Sequence, residues 1–326
     1  MTVAATLDPL LYHGGRIALA ATRFPAAHKP WLDLSTGISP WAYPVGEIDS
    51  QIWQHLPQPE DLTALEAAAA DAFGGVSPDQ IVAVPGVDLA IRLLATLLPE
   101  PRVSIVGPTY GGYSYAWPEA RTLPFTKARG ADLLICANPN NPDGKVIAKT
   151  LLQRLRNTRI VDEAFADAMP DQSLLPHRNG AIVLRSFGKF YGLAGVRLGF
   201  VIADRPFAKK LRALLGDWPI AGPALVIGTA AYRDVEWQQR QRERLSIASE
   251  RLLLLLTQSG LEVAGGTPLF QLATHPEASA IFEHLAKAGI LVRPFTDRPS
   301  WLRFGIPGTD ADFARLAAAL KNWKST

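Results

Sequence analysis

The sequence of 326 residues has one cysteine, no long apolar run and no run of five or six charges of one sign. One cysteine cannot form an internal disulfide, and Cys136 lies in an apolar stretch, so we expect a packed thiol in a reducing compartment, the cytoplasm. No stretch reaches the length of a membrane span and no basic-plus-apolar leader is visible, so we expect no membrane partner. These absences predict a globular protein.

Charge and ligand patterns exclude further classes. The 33 Lys and Arg against 30 Asp and Glu leave a net charge of +3, and the basic residues are scattered. This balance does not favour a nucleic-acid partner and suits an anionic small substrate equally well. No His and Cys cluster has metal-ligand spacing, so we expect no metal, and the GxGxxG dinucleotide pattern is absent. The 48% hydrophobic content allows one large domain and a small one.

A lysine between two predicted strands is the most informative feature that is present. Residues 181–184 and 198–203 predict short buried strands, and the segment between them carries Lys189 among Ser, Gly and aromatic residues. Desolvation and neighbouring cations lower a lysine pKa and make the amine a nucleophile that forms Schiff bases. Ser186 and Arg197 would suit a phosphate beside it. A lysine whose stem merely packs between two strands would give the same pattern.

A second anion-binding feature is predicted at residues 81–99, IVAVPGVDLAIRLLATLLP. The pattern predicts a strand, a turn at Pro85 and Gly86, and an amphipathic helix that begins near Val87 and Asp88. Unpaired backbone N–H groups and the helix dipole favour an anion at such a helix start. An ordinary helix start without a ligand would show the same pattern.

Three more residues follow predicted strands, at the edge where parallel sheets bind ligands. Tyr110 follows the strand 103–106, Asn141 lies in the rigid turn NPNNPDG, and Asp162 ends the strand that begins at Arg159. A carboxylate on the last residue of a buried strand is costly unless it is paired. Two other interpretations remain open. Tyr110 could be an aromatic residue that closes the core, and the NPNNPDG turn could be a rigid loop that binds no ligand.

The two ends of the chain add candidates for a second anion. HGGR at 13–16 places His13 beside a glycine pair whose N–H groups could approach a ligand closely, although a glycine-rich surface turn is the alternative. Arg293 and Arg303 each lie inside an apolar predicted strand, where a guanidinium requires a fixed anion or a structural ion pair.

The remaining pattern predicts the scaffold. Residues 60–73 predict a helix that ends at a glycine pair, and residues 225–258 predict a long helical region broken near Arg233. Residues 260–326 predict the strands LEVAGG, PLFQLAT, ILVRPF and WLRFGIP with helices at 276–288 and 310–323, which suits a small α+β domain.

Taken together, these motifs resemble the pyridoxal-phosphate enzymes of the aspartate aminotransferase fold type, in the branch of histidinol-phosphate aminotransferases and threonine-phosphate decarboxylases. The resemblance covers nearly the whole chain and is most specific in NPNNPDG, VDEAF and SFGKFYGLAGVRLGF. It implies an α/β fold with a mainly parallel seven-stranded sheet between helices over residues 46–230. It also implies a small α+β domain built from residues 1–45 and 231–326, and usually a homodimer.

The resemblance gives the site residues roles. It implies that Lys189 binds pyridoxal 5'-phosphate covalently, that Asp162 faces the ring nitrogen, that Tyr110 lies against the ring and that Asn141 donates to the 3'-oxygen. The other cofactor-binding residues it implies are Gly86, Val87, Asp88, Ser186 and Arg197. The substrate-binding residues it implies are His13, Gly14, Gly15, Gly37, Arg293 and Arg303.

The resemblance implies that Arg303 binds the substrate carboxylate, and that Arg293 and the HGG segment bind the substrate phosphate. Two positions depart from the family pattern. Phe165 replaces a Tyr that bonds the 3'-oxygen, which mildly favours the decarboxylases. Leu56 replaces a Tyr that reaches the partner's site, so a contribution from the partner stays open.

The expected function is decarboxylation of L-threonine O-3-phosphate to (R)-1-amino-2-propanol O-2-phosphate for the cobalamin nucleotide loop. HGGR and LSTGISP favour it over the alternative, a histidinol-phosphate-type aminotransferase. Which bond stands perpendicular to the cofactor ring decides between them, and the sequence does not fix that angle. A cofactor-binding sensor without chemistry is a third interpretation, disfavoured because no DNA-binding region is appended.

Overall fold

The structure is a computed structural model, and it describes residue 10 and residues 14–324. Two compact units divide these residues. The larger contains residues 42–241, and the smaller contains the described residues up to Trp41 and from Arg242 onward. Among the residues described, no helix is both long and apolar enough to cross a membrane.

The strands alternate with helices in the first part of the chain and cluster near its end. They are β1 (Leu32–Asp33), β2 (Ile81–Val84), β3 (Val103–Val106), β4 (Arg121–Leu123), β5 (Leu133–Ala137), β6 (Thr158–Asp162), β7 (Ile182–Ser186), β8 (Gly199–Ile202), β9 (Glu262–Thr267), β10 (Phe270–Thr274), β11 (Ile290–Leu291), β12 (Arg293–Pro294) and β13 (Trp301–Gly305).

The helices range from 4 to 24 residues in length. They are α1 (Ile17–Arg23), α2 (Ser50–Gln54), α3 (Pro59–Ala72), α4 (Val87–Leu97), α5 (Gly112–Ala116), α6 (Phe125–Ala128), α7 (Lys149–Gln153), α8 (Phe187–Phe190), α9 (Arg205–Leu215), α10 (Gly222–Arg233), α11 (Val235–Gln258), α12 (Ala278–Lys287) and α13 (Asp310–Lys324). Short 3-10 turns lie at Pro78–Gln80, Ala166–Ala168, Pro170–Gln172 and Ala194–Val196.

The larger unit is built on a seven-stranded sheet in the order β2-β8-β7-β6-β5-β3-β4. Strands β7, β6, β5, β3 and β4 are parallel to their neighbours within this run, whereas β8 is antiparallel to both β7 and β2. The mainly parallel seven-stranded sheet that the family resemblance implies is therefore confirmed. Strand β5 is apolar and buried along its whole length, as expected for a strand that is covered on both faces of the sheet.

Helix α4 shows how this core forms. Its apolar residues recur at helical spacing, so Ala90, Ile91 and Leu94 share one buried face. They pack in a cluster with sheet residues that include Ile105 and Ile135. This packing fixes the start of α4 at the end of β2, next to the strands that carry the predicted site.

The smaller unit has a four-stranded antiparallel sheet in the order β12-β13-β10-β9 and a parallel pair, β1 with β11. The predicted strand ILVRPF is divided in two. Ile290 and Leu291 pair with β1, whereas Arg293 and Pro294 pair with β13 in the other sheet. Because each half has a different partner, the chain leaves strand geometry at Val292.

The predicted break in the long helical region is confirmed. Helix α10 ends at Arg233, and the carboxylate of Asp234 accepts a bond from the Trp237 N–H at 2.9 Å in the first turn of α11. A side-chain acceptor at a helix start satisfies a donor that has no partner within the helix.

Candidate active site

A cavity of about 250 Å³ lies at the carboxyl ends of β5, β6 and β7 in the larger unit. Ligands of open α/β sheets usually bind at this edge. Every cofactor-binding residue predicted from the sequence lines the cavity except Gly86, which is adjacent to it in the chain. The lining residues are Val87, Asp88, Ile91, Tyr110, Tyr113, Ala137, Asn141, Asp162, Ala164, Phe165, Ser186, Lys189 and Arg197.

Asp162, the last residue of β6, is a buried carboxylate with 6% of its surface exposed. Its Oδ2 accepts a hydrogen bond from the Tyr113 hydroxyl at 2.7 Å, and its Oδ1 accepts one from the Ala164 N–H at 2.9 Å. Burial raises the pKa of Asp162, while these bonds and the charge of Lys189 oppose that rise. A protonated ring nitrogen in the cavity would be the partner that such a carboxylate requires.

Lys189 lies in a different local structure from the predicted loop. Residues Phe187–Phe190 form the one-turn helix α8 immediately after β7, and the half-buried Lys189 lines the cavity from it. Phe187 and Phe190 on the same turn are fully buried. Because Phe187 and Phe190 pack in the core, they hold the turn in place and fix the position from which Lys189 reaches the cavity.

The start of α4 and Arg197 form an anion-binding corner. Gly86 precedes α4 with φ of 93°, a left-handed conformation that favours glycine. A Cβ at this position would lie 2.5 Å from Nη2 of Arg197, so the guanidinium packs directly on the glycine. Arg197 Nη1 also donates to the Ala194 carbonyl at 3.3 Å. A fixed cation beside a helix start is suited to a phosphate.

Tyr110 is oriented by the same helix. Its hydroxyl donates to Oδ1 of Asp88 at 3.0 Å, and Asp88 also forms an ion pair with Arg92 one turn further on. Burial, followed by the charge of Asp88, raises the pKa of Tyr110. The ring is therefore a neutral aromatic held at the cavity wall.

The turn NPNNPDG is held by Asn140, so that Asn141 lines the cavity. Asn140 Nδ2 donates to the Pro108 carbonyl at 2.8 Å and to Oδ1 of Asp143 at 2.6 Å. Asn140 Oδ1 accepts a bond from the Thr109 hydroxyl at 2.8 Å. Phe165 also lines the cavity, with no hydroxyl to offer.

This donor set fits pyridoxal 5'-phosphate. The cavity has an amine for the aldehyde, a buried carboxylate for the ring nitrogen, an amide for the 3'-oxygen and a cationic helix start for the phosphate. The parts come from separate strand ends, and the fold brings them into one cavity.

The predicted substrate residues that the structure describes lie in the smaller unit. The Gly15 N–H donates to the Ser35 hydroxyl at 2.7 Å, and that hydroxyl donates to Oδ1 of Asp33 at 2.5 Å. A Cβ on Gly14 would lie 2.2 Å from the Ser35 carbonyl oxygen, so the glycine pair packs directly on this segment. Gly37 is buried two residues further on. His13 lies outside the described residues.

Arg303 joins the same segment from β13. Its Nη2 donates to the Ser35 carbonyl at 2.9 Å, and only 7% of its surface is exposed. Burial, together with the neighbouring charge of Arg293, lowers the pKa of Arg303 to about 9. Two adjacent cations, one of them buried, form a site suited to an anion.

Tyr113 was not predicted from the sequence. It lines the cavity and bonds Asp162, although 49 positions separate the two residues. The spacing of three between Tyr110 and Tyr113 was the available signal, because a single helical turn places residues three apart on one side. Ile91, Ala137 and Ala164 also line the cavity without having been predicted. Over the described part of the chain, no group of His, Cys, Asp and Glu is placed to hold a metal ion.

The amino-acid sequence is similar to known proteins of one family. The model for aminotransferase class I and II matches residues 123–320, more than half of the chain. The chain is similar to the threonine-phosphate decarboxylase of Pseudomonas aeruginosa, with 41% identity that covers 97% of this chain and 98% of that protein. Similarity to the threonine-phosphate decarboxylase of a Sinorhizobium species is 39%, over 95% of this chain and 97% of that protein.

Among solved structures, the fold is similar to that of histidinol-phosphate aminotransferase from Sinorhizobium meliloti in complex with pyridoxal-5'-phosphate. The TM-score is 0.81, and the match covers 99% of this chain and 98% of that one. Sequence identity is 20%, so this likeness shows the fold alone.

Proposed function

The chain belongs to the aminotransferase class I and II family, and from this membership we propose that it is a pyridoxal-phosphate enzyme that decarboxylates L-threonine O-3-phosphate. One observation carries the proposal: two threonine-phosphate decarboxylases are similar to the chain over nearly its whole length. The products would be CO2 and (R)-1-amino-2-propanol O-2-phosphate, which would serve the nucleotide loop of cobalamin.

The cavity residues would hold the cofactor at three points. Lys189 would hold the aldehyde carbon, Asp162 the ring nitrogen, and Arg197 with the Gly86 turn the phosphate. When bound, the cofactor supplies an electron-withdrawing ring that stabilises the negative charge left on the substrate α-carbon when CO2 departs. Asp162 would contribute by keeping a proton on the ring nitrogen.

The remaining cavity residues orient the ring. Tyr110 would lie against its face, held by Asp88, and Asn141 would donate to the 3'-oxygen. Phe165 adds an apolar wall where a hydroxyl would otherwise donate to the same oxygen. Ser186 would add a hydroxyl to the phosphate site, alongside the N–H groups of Val87 and Asp88.

The arginines and glycines of the smaller unit would bind the substrate. Arg303 would pair with the α-carboxylate, and Arg293, the Gly14 and Gly15 backbone and His13 with the phosphate. Gly37 would complete the segment that these residues share. The buried position of Arg303 supports this assignment, because a buried guanidinium gains most from an anion with fixed geometry.

The α-carbon requires one proton after the C–C bond to the carboxylate breaks. Lys189 Nζ is the cavity group suited to deliver it, since an ammonium donates one proton and is left as a neutral amine. Water could deliver the same proton, and the products would be unchanged.

A decarboxylation assay tests the proposal. The purified protein, supplied with pyridoxal 5'-phosphate and L-threonine O-3-phosphate, should release CO2 without any 2-oxo acid acceptor. Amino-group exchange that depends on a 2-oxo acid would instead support a histidinol-phosphate-type aminotransferase. An absorbance band from bound cofactor with neither reaction would indicate a binding protein without chemistry.

We propose further that the enzyme is a cytoplasmic homodimer. Trp53, Leu56 and Trp218 of the larger unit are 68%, 60% and 58% exposed, and Leu56 and Trp218 line one surface groove. Clustered large apolar side chains at a surface are typical of a protein interface. The buried Cys136 thiol is compatible with a reducing compartment.

A further inference from the structure

The residue that contacts Asp162 most directly is a tyrosine that no comparison singles out. Tyr113 is fully buried in α5, and its hydroxyl donates to Oδ2 of Asp162 at 2.7 Å. The Ala164 N–H donates to Oδ1 of Asp162 at 2.9 Å. Each carboxylate oxygen thus has one donor from the protein and keeps acceptor capacity for a ligand.

These two donors approach from different elements, so together they define the plane of the carboxylate. The Ala164 N–H is two residues away in the chain and would follow Asp162 if the strand end moved. Tyr113 is 49 residues away, on a helix that packs against α4, and its contact is set by tertiary structure. The tyrosine is therefore the group that ties the carboxylate to the rest of the site.

We propose that Tyr113 is a positioning residue, which holds the Asp162 carboxylate in the orientation and charge state that pair with the cofactor ring nitrogen. The proposal rests on the cofactor part of the proposed function. It assigns Tyr113 no contact with the substrate and no part in proton transfer to the α-carbon.

The surroundings of Asp162 support this role. Two hydrogen-bond donors, the Tyr113 hydroxyl and the Ala164 N–H, act on this carboxylate, and Lys189 contributes a positive charge beside it. Burial raises the pKa of Asp162, and the Tyr113 bond lowers it. Without that bond, the carboxyl would hold its proton to a higher pH and would lose its attraction for a protonated ring nitrogen.

A cofactor analogue separates positioning from a merely structural role. The full-length wild type and Tyr113→Phe, stripped of cofactor, would be titrated with pyridoxal 5'-phosphate and with its 1-deaza analogue, in which C–H replaces the ring nitrogen. Tyr113→Phe should weaken binding of the natural cofactor about tenfold, as expected for a hydrogen bond to a charged group. The loss for the deaza analogue should be less than about twofold, because Asp162 then has nothing to pair with.

Equal losses for both cofactors would overturn the proposal, since a role in packing would not depend on the ring nitrogen. Tyr115→Phe is the matched control, because Tyr115 lies on the same helix and is 57% exposed. It should bind both cofactors as the wild type does. Thermal unfolding of each variant shows whether the fold is kept.

If Tyr113→Phe does not fold, Asp162→Asn serves as the second variant. Asn keeps an acceptor for the Tyr113 hydroxyl but carries no charge, so the preference of the wild type for pyridoxal 5'-phosphate over the deaza analogue should disappear. A preference that persists would overturn the proposal. CO2 release by the wild type is measured separately, so failure of the proposed decarboxylation and failure of this inference give different results.

Discussion

At the scale of single residues, Lys189 has the clearest experimental consequence. Lys189→Ala removes the amine that would hold the cofactor and return a proton to the α-carbon. We expect CO2 release from L-threonine O-3-phosphate to fall by at least about 10³-fold, in line with the loss of a positioned acid–base group. Lys210→Ala, at an exposed position on α9, is the control and should keep wild-type activity.

Gly86 allows a second comparison at this scale, because Gly75 has a similar positive φ but no side chain packed against it. Gly86 and Gly75 have φ of 93° and 81°, so alanine at either should cost about 1 kcal/mol of strain. Only at Gly86 would the new Cβ meet Arg197, while nothing lies within 4 Å at Gly75. Gly86→Ala should therefore weaken cofactor binding by more than tenfold, and Gly75→Ala should not.

Equilibrium titration with pyridoxal 5'-phosphate measures that difference, and urea denaturation checks that both variants lose similar stability. Equal cofactor affinities in the two variants would contradict the assignment of the anion-binding corner.

Residue identity was predictable where a motif kept its residues close in sequence. Lys189, Ser186 and Arg197 fall within one stretch of 15 letters, SFGKFYGLAGVRLGF, and all three line the cavity. Tyr113 was not predictable in this way, because its contact with Asp162 depends on how α5 packs. A hydrogen bond across 49 positions is a property of the fold rather than of a local pattern.

At the scale of elements, the edge strand β2 is protected by side chains. Strand β2 pairs with β8 on one side only. On its other side, the Ala83 N–H donates to Oε1 of Glu66 at 3.0 Å, and Arg212 Nη2 donates to the Ile81 carbonyl. Glu66 and Arg212 also bond each other at 2.7 Å. The Glu66–Arg212 ion pair thus forms hydrogen bonds with edge-strand backbone groups that could otherwise pair with a strand of another chain.

Glu66 gives this arrangement a pH dependence. Burial raises the pKa of Glu66 above its usual 4.5, so the folded protein holds this proton more tightly than the unfolded chain. Its contribution to stability is complete below about pH 4.5 and is lost as the pH rises through the raised pKa. The free energy of unfolding of the wild type, minus that of Glu66→Gln, should therefore fall over this window.

Urea denaturation at several pH values measures that difference, with Glu60→Gln on the exposed side of the same helix as the control. A wild-type minus Glu66→Gln difference that stays constant with pH would contradict the prediction.

Element boundaries show where local pattern was enough. The strand Val103–Val106 lies where the sequence predicts it, because four apolar or small residues between turn signals have little alternative in a buried sheet. The strand predicted over 290–295 is divided, and Phe187–Phe190 is helical rather than loop. Both differences depend on partners distant in sequence, which a local pattern does not contain.

At the scale of the whole molecule, the apolar surface around Trp53, Leu56 and Trp218 predicts the assembly. Trp218→Asp should convert the proposed dimer to a monomer at micromolar concentration, since it places a charge in a desolvated contact. Sedimentation equilibrium measures the mass. Ile247→Asp, at a side chain 69% exposed in the smaller unit, is the control and should leave the mass unchanged. A wild type that sediments as a monomer would contradict the prediction.

The order of the sheet was beyond sequence analysis. The sequence pattern predicted the strands and the family resemblance implied a mainly parallel sheet, but neither revealed that β8 lies between β2 and β7. Strand order is decided by which helices cover which face, and that information is spread over the whole chain.

Strand β8 brings the chain back beside β7. Because β8 is antiparallel to β7, Ser186 pairs with Gly199. The 12 residues between them form a segment whose two ends are held together by this pairing. Lys189 and Arg197 both lie in this segment, so an insertion or deletion in it would displace the amine and the guanidinium together. A change in the length of this segment would therefore move two predicted cofactor-binding groups at once, whereas a substitution elsewhere in the cavity would change one group at a time.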